Sequence, residues 1–365
     1  VHVFPHETVE LPCVDSAIKG EGEAVFTELA KAIDQNKNLR HVKGLIFKDG
    51  REVINTGAAE TINLLDSLPF PERTKIDLTK YYYAISEKVH FTTILSSRGC
   101  PYCCSFCSTP HGAYRIRSPQ NIVDEMQECI ELGLDEVHFV DDAFNVYPER
   151  VIGICEEIVK RGLKLRWSFR GRVDTVTWEM LVKAKESGCV RIHFGVETNS
   201  DEGLKRLKKG ISIEQIKRVF KWTRQVGITT VAYFMIGCPH EKNRSDVLKT
   251  IDFALHIDPD FVLFNVLAAY PGTEMYAEGL KRGLFKEDTW KNFALRPQQD
   301  FCLPFWEEWM SRDELFSLLN LAYRKFYLRP KFIFRTIYSL KSFKEFIRKL
   351  KAGINIYKLP SQLRS

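Results

Sequence analysis

From residue 91 onward the chain alternates between two kinds of segment, and this alternation restricts the fold more than any other property. Short Val-, Ile- and Phe-rich runs at 92–96, 136–140, 165–169, 191–195, 230–236 and 261–267 read as strands. Between them lie amphipathic patterns with helical spacing, at 122–134, 150–161, 179–187, 213–225 and 247–257. Apolar strands separated by such helices are βαβ units, whose strands lie parallel in a sheet covered by the helices. Six strands are too few to close an eight-stranded barrel, so the expected fold is α/β with an open or partial barrel. In either form, ligands gather at the carboxyl ends of the strands.

The flanking regions follow different rules. Residues 24–36 have helical spacing, and 42–55 read as a β-hairpin with Asp49-Gly50 supplying a type I′ turn. Leu68-Pro69-Phe70-Pro71 is a stiff linker, because each proline fixes its own φ and restrains the residue before it. After Gly283 the strand pattern stops; 313–326 and 331–350 read as helices, broken at Arg329-Pro330. The expected organisation is an N-terminal piece at 1–41, a hairpin and linker at 42–90, a core at 91–285 and a helical region at 286–365.

The composition is that of a globular chain, with 44% hydrophobic and 27% charged residues among 365, which excludes intrinsic disorder. The longest apolar stretches, at 231–236 and 261–269, have the length of buried strands and fall short of a membrane span. No secretory signal pattern is seen, so a cytoplasmic setting is expected. Charge is unevenly spread. Residues 324–365 hold twelve Lys or Arg and one acid, Glu345, a balance of +11 against +6 for the whole chain. An anionic partner should therefore meet the C-terminal end.

Six of the ten cysteines stand singly: Cys13, Cys129, Cys155, Cys189, Cys238 and Cys302. The other four, Cys100, Cys103, Cys104 and Cys107, fall within eight residues directly after the first strand. Clustering of this kind reads as metal binding in a reducing compartment, not as a disulfide framework. Soft thiolates suit zinc, copper(I) or an iron–sulfur cluster. Structural zinc usually needs a second pair of ligands, which this loop does not supply.

The pattern Cys100-x3-Cys104-x-Phe106-Cys107, at the head of six βα units, resembles the signature of radical S-adenosylmethionine (SAM) enzymes. The resemblance covers roughly 91–285. It implies a 4Fe–4S cluster on Cys100, Cys104 and Cys107, with one iron left open to chelate SAM, and it gives Cys103 no ligand slot. It also implies reductive cleavage of SAM to methionine and a 5′-deoxyadenosyl radical. Further contacts to SAM would come from Phe106 beside the cluster, from the Asp141-Asp142 pair toward the ammonium, and from an arginine toward the carboxylate, Arg172 fitting better than Arg170. Gly195 and Glu197 would meet the ribose, and Ile236 and Gly237 the adenine edge, where His240 replaces the usual glycine after the proline. The plain alternatives are a helix N-terminal acid pair for Asp141-Asp142 and a loop salt bridge for Arg172.

The stretches Val3–Thr8 and Val14–Glu23, the hairpin and the Leu-Pro-Phe-Pro linker resemble the cobalamin-associated subclass of these enzymes. The chain opens in mid-pattern at Val1, without Met, and no corrin-ligating Asp-x-His-x-x-Gly motif is found in it. The expectation is a member lacking most of its cobalamin domain, which binds no corrin by itself. The implied activity is methylation of an unreactive carbon or of phosphinate phosphorus. A second reading is an anaerobic oxidative cyclase similar to the magnesium-protoporphyrin monomethyl ester enzyme. RNA modification is disfavoured, since no second cysteine set or β-barrel RNA module is seen, and a non-catalytic cluster protein would leave Glu197 unused. Expected partners are a small-molecule or lipid-like substrate and an electron donor such as flavodoxin or ferredoxin; nucleic acid is not expected. The basic, aromatic-rich tail either packs on the core or meets an anionic membrane surface.

Overall fold

A computed structural model describes residues 3–81, 90–109 and 112–338. The chain forms two compact units, a smaller one built from the described residues up to 65 with 106–108 and 268–304, and a larger one from 66–105, 109–267 and 305 onward.

The smaller unit begins with α1 (Pro5–Glu10), β1 (Ser16–Ile18), α2 (Gly22–Asp34), β2 (Leu45–Asp49) and β3 (Glu52–Asn55). The strands form an antiparallel sheet in the order β1–β2–β3. The hairpin forms as expected, but its turn is different. Pairing of Asp49 with Glu52 leaves Gly50-Arg51 as the central residues, and only Gly50 has positive φ (62°). A type I′ turn needs positive φ at both, so this turn follows the II′ pattern, with glycine first.

The larger unit contains β4 (Phe91–Ile94), β5 (Ser97–Arg98), β6 (Arg115–Ile116), α3 (Pro119–Glu131), β7 (Glu136–Phe139), α4 (Pro148–Lys160), β8 (Arg166–Gly171), α5 (Trp178–Glu186), β9 (Cys189–Glu197), α6 (Asp201–Arg206), α7 (Ile213–Val226), β10 (Thr229–Ile236), α8 (Arg244–Ile257) and β11 (Phe261–Val266). Six strands form one parallel sheet in the order β4–β7–β8–β9–β10–β11. Each new strand adds beside the last, which is the progression of a partial barrel and not of a doubly wound sheet. The helices are punctuated by the local chemistry expected of them. Ser118 caps α3 with Pro119 behind it, Ser212 and Gln215 form a capping box on α7, and Gly227 ends that helix at φ 76°.

Strand alternation separates two faces. Phe139, Trp167, Phe169, Phe194, Phe234 and Phe264 pack in the core with Met126, Ile154, Met180, Val219 and Ile251 of the helices. The opposite face carries Glu136, His138, Ser168, Arg170, Arg191, His193 and Tyr233. A polar lining of this kind is unlike the apolar filling of a closed barrel.

The chain continues through α9 (Glu274–Lys281) and α10 (Thr289–Leu295) of the smaller unit to α11 (Arg312–Tyr327) and α12 (Pro330–Tyr338) of the larger. Helix α11 covers the edge of β11. Tyr327 Oη donates to the Val262 carbonyl (2.7 Å) and accepts from its N–H (3.0 Å), and Tyr323 Oη does the same at Phe264 (2.9 and 3.2 Å). The helix spacing of four residues matches the strand spacing of two, so two hydroxyls satisfy backbone groups that a further strand would otherwise pair. Of the basic tail, Arg329 and Lys331 meet Asp258 (both 2.7 Å) and Arg335 meets Asp260 (3.3 Å). The rest of the helix expected at 331–350 lies outside the described residues beyond Tyr338.

Candidate functional site

Parallel order brings every strand's carboxyl end to one edge of the sheet. At the first of them, β5 and β6 form a short antiparallel ladder, pairing Ser97 with Ile116 and Arg98 with Arg115. This ladder pins the neck of the loop that carries the clustered cysteines. Gly99, at φ 81°, makes the close approach feasible, since a Cβ there would lie 2.8 Å from the Ala113 carbonyl oxygen. Ser105 N–H donates to the Leu207 carbonyl (3.0 Å) and anchors the loop further.

Along this loop Cys104 is buried, Cys100 and Cys107 are half-buried and Cys103 is exposed; none is in a disulfide. Cys100 and Cys104 belong to the larger unit, Phe106 and Cys107 to the smaller. Among the described residues, no three Cys, His, Asp or Glu side chains are gathered into a metal-holding group. The donor set nevertheless fits an iron–sulfur cluster by its chemistry: three cysteines in no disulfide follow one another on a loop held at its neck. The Arg172 guanidinium lies 4.0 Å from Cys104 Sγ, a charge that compensates a thiolate.

The adjacent acids after β7 part company. Asp141 is fully buried and accepts from Ser96 N–H (3.1 Å), from Ser96 Oγ (2.9 Å) and from Ser97 Oγ. Burial raises its pKa, opposed by the Ser97 hydrogen bond and the Arg150 charge. Asp142 is exposed as a residue and accepts from Thr109 Oγ1 (3.1 Å); partial desolvation of its carboxyl still raises the pKa.

Arg172 follows β8 and is held from several sides. It forms a fork with Asp174 (3.0 and 2.9 Å), donates to the Lys209 carbonyl (2.6 Å), and lies 3.6 Å from the Tyr102 ring centroid. The Asn145 side chain clamps the Arg172 backbone, accepting from its N–H (2.9 Å) and donating to its carbonyl (2.8 Å). Gly171 allows this approach, because a Cβ there would lie 2.5 Å from Asn145 Oδ1. Sequence reasoning did not find Asn145, Asp174, Lys209 or Tyr102. The Arg172-Val173-Asp174 spacing signals the fork, but nothing local signals the other three.

At the end of β9 the pairing with β10 slips by one residue, so that Gly195 pairs with Tyr233 but Glu197 with Phe234. Glu197 itself has φ 68°, and Thr198 N–H donates across it to the Val196 carbonyl (2.9 Å), forming a γ-turn. A bulge and a non-glycine residue at positive φ are features that gather at functional sites. The Glu197 carboxylate pairs with Lys209 Nζ (2.7 Å), and both lie over Gly195, where a Cβ would meet Glu197 Oε1 at 2.3 Å.

At the end of β10, Ile236 is buried, and the next residue, Gly237, has φ 75°, with Leu315 of α11 where a Cβ would stand. Glu241 ties this turn together. It accepts from Cys238 N–H (3.0 Å) and from Thr250 Oγ1 (2.6 Å). Burial pushes its carboxyl up from 4.5 to about 7. The native protein thus keeps a proton that the unfolded chain releases as pH rises past 4.5. That stabilisation is complete below this pH and is lost as pH rises through about 7, an effect of about 3 kcal/mol. Glu241→Gln should flatten this part of the profile. The urea midpoint of the wild type should then fall further between pH 5 and pH 8 than that of the variant, and equal falls would remove Glu241 as the source.

Comparison with known proteins places this geometry. The profile of the radical SAM superfamily matches residues 94–254. An uncharacterized methyltransferase of Pyrococcus horikoshii is 31% identical over 338 residues, covering 92% of this chain and 72% of the relative. The anaerobic magnesium-protoporphyrin IX monomethyl ester cyclase of Cereibacter sphaeroides is 30% identical, over 96% of this chain and 58% of the relative. Among solved structures, the radical SAM methyltransferase TsrM of Kitasatospora setae, with cobalamin and a 4Fe–4S cluster bound, superposes with a TM-score of 0.64 at 24% identity, over 77% of this chain and 56% of that one. The chain thus spans little more than half the length of the last two.

Proposed function

We propose, since the chain belongs to the radical SAM superfamily, that Cys100, Cys104 and Cys107 hold a 4Fe–4S cluster at which SAM is reductively cleaved, in the service of methyl transfer to an unreactive carbon or phosphinate centre. The observation that carries this reading is the cysteine loop, pinned at its neck by β5 and β6 at the carboxyl end of the sheet's first strand. When bound, the cluster and SAM supply one-electron cleavage of the sulfonium and, from it, hydrogen abstraction from an unreactive centre.

The chain's own residues bind and orient. Asp142 is the acid for the SAM ammonium, because the Asp141 carboxylate is committed to Ser96 and Ser97. Arg172, fixed by Asp174 and Asn145, sets the charge beside Cys104. Glu197 offers its carboxylate to the ribose hydroxyls with Lys209 as counter-charge, and the Ile236-Gly237 turn forms the adenine edge. No residue of this chain is assigned to cobalamin, since the sequence carries no corrin-ligating motif.

The test is anaerobic reconstitution followed by incubation with SAM and a low-potential reductant. Methionine and 5′-deoxyadenosine should form in step. Glu197→Ala should keep the cluster and bind SAM about ten- to a hundredfold more weakly, the worth of hydrogen bonds to a charged acceptor. Absence of SAM-derived products from a fully loaded cluster would sink the reading. The similarity to the cyclase supports oxidative ring closure as a second reading. The two part on one measurement: isotope from the SAM methyl group enters the product only in methyl transfer.

A further inference from the structure

We propose that Arg170 and Tyr233 form a recognition site for an anionic group of the substrate, on the face of the sheet opposite the helices. The inference deepens the reading above and rests on it, in that the substrate approaches SAM over this face.

Three neighbouring strands build the site. In register, Arg170 of β8 pairs with His193 of β9, and Gly195 of β9 pairs with Tyr233 of β10. Gly195 places no side chain between the two rows, and the Glu197–Lys209 pair stands above it. The site therefore adjoins the carboxylate assigned to the SAM ribose.

The hydrogen-bond directions show what the site lacks. Arg191 Nε can only donate, and it donates to His193 Nε2 (3.3 Å). His193 is buried beside His138 and two arginines, Arg191 and Arg170, which pushes its pKa down to about 2, so the ring is neutral. With Nε2 accepting, the ring proton sits on Nδ1 and points to Tyr233 Oη, 2.7 Å away. Arg170 faces the same oxygen as a further donor. The Tyr233 oxygen thus has donors in His193 and Arg170, which leaves its own hydrogen to be given to an acceptor.

Arg170 supplies the charge. Its side chain is exposed on this face and has no carboxylate within 4.0 Å among the described residues. The nearby acids are otherwise engaged. Glu136 takes Arg191 (2.6 Å), Glu197 takes Lys209, and Asp142 takes Thr109, although Asp142 feels the Arg170 charge. His138, pushed down to about 4 by burial, is neutral as well. A guanidinium and a donor hydroxyl, with no acceptor left between them, match a carboxylate or a phosphoryl oxyanion.

The test uses the full chain, with cluster loading followed by absorbance and SAM binding by equilibrium dialysis. Phenylglyoxal modification of Arg170 is followed by mass spectrometry, with the exposed Arg51 of the hairpin turn as internal reference. Inorganic phosphate and acetate are the probes, against chloride at equal ionic strength. One of the two anions should slow modification of Arg170 about tenfold when present at about ten times its Kd, and leave Arg51 unchanged. Protection by phosphate alone assigns a phosphoryl group, and by acetate alone a carboxylate. Arg170→Gln should lose anion binding while keeping the cluster and the wild-type SAM affinity, and Tyr233→Phe should weaken anion binding by a smaller factor. Protection by SAM together with loss of SAM affinity in Arg170→Gln would overturn the proposal, since Arg170 would then serve the cofactor. Absence of protection by either anion would also overturn it. Failure of the underlying reading would show separately, as absence of a cluster or of SAM binding in the wild type.

Discussion

Cys100→Ala, Cys104→Ala and Cys107→Ala should each lose the visible absorbance and the stoichiometric iron of the reconstituted cluster, and with them all SAM cleavage, while Cys103→Ala keeps both. The expected effect is complete, because on the proposed reading each variant removes one of three anchoring thiolates. No other cysteine of the larger unit is suited to replace them. Burial pushes the Cys129 thiol up to about 11 and Cys155 up to about 12, and raises Cys189 and Cys238 as well. Those side chains stay protonated and sit inside the packed core, as structural cysteines do. Exposed Cys103 has the access but, in the expected register, no ligand place. Retention of the cluster in Cys104→Ala with its loss in Cys103→Ala would move the ligand set by one residue.

The order of the sheet was legible because six apolar runs recur with helices between them, and parallel order follows from that recurrence. The ends were less legible. Strand β9 runs from Cys189 to Glu197, longer than the run 191–195, because register shifts at both ends extend the ladder past the apolar stretch. Of the candidate site, the sequence offers only local signals: the cysteine spacing, whose ligand role is a proposal, and the Arg172-Val173-Asp174 spacing behind the fork. The Asn145 clamp joins residues 27 apart, and the γ-turn at Glu197 depends on how β9 meets β10. Asp141 and Asp142 could not be told apart by sequence, since the choice depends on Ser96 and Ser97 lying beneath one and not the other. Nor was the polar face of the sheet foreseen. His138 and His193 pack against each other on it, with ring centroids 5.0 Å apart.

Glu125→Ala should destabilise the larger unit by about 3–5 kcal/mol, the usual cost of stranding a buried charge. Glu125 of α3 is almost wholly buried and sits between two guanidinium groups, Arg73 (2.5 Å) and Arg117. Arg73 comes from the segment that follows the proline linker, and also donates to the Thr93 carbonyl of β4 (2.9 Å). Arg117 comes from just beyond β6 and donates to the Leu95 carbonyl (3.0 Å) and to Asn121 Oδ1 (2.6 Å). One carboxylate therefore joins the linker segment, the neck of the cysteine loop and the first strand of the sheet. Its removal leaves two buried cations beside each other with nothing to offset them, whereas the exposed Arg40–Asp49 pair is screened by water and weakens with salt. Urea unfolding of the reduced chain measures the loss, and added salt should not restore it. Hydrogen exchange should show amides near Arg73 and Arg117 losing protection before those of β9 and β10, because the ties that Glu125 makes are at that end of the sheet. Replacing all three residues with apolar ones of similar volume should recover most of the stability, since the loss comes from uncompensated charge and not from lost packing. A shift below about 1 kcal/mol in Glu125→Ala would place the triad with ordinary surface pairs and remove it as the fastening of the cysteine loop.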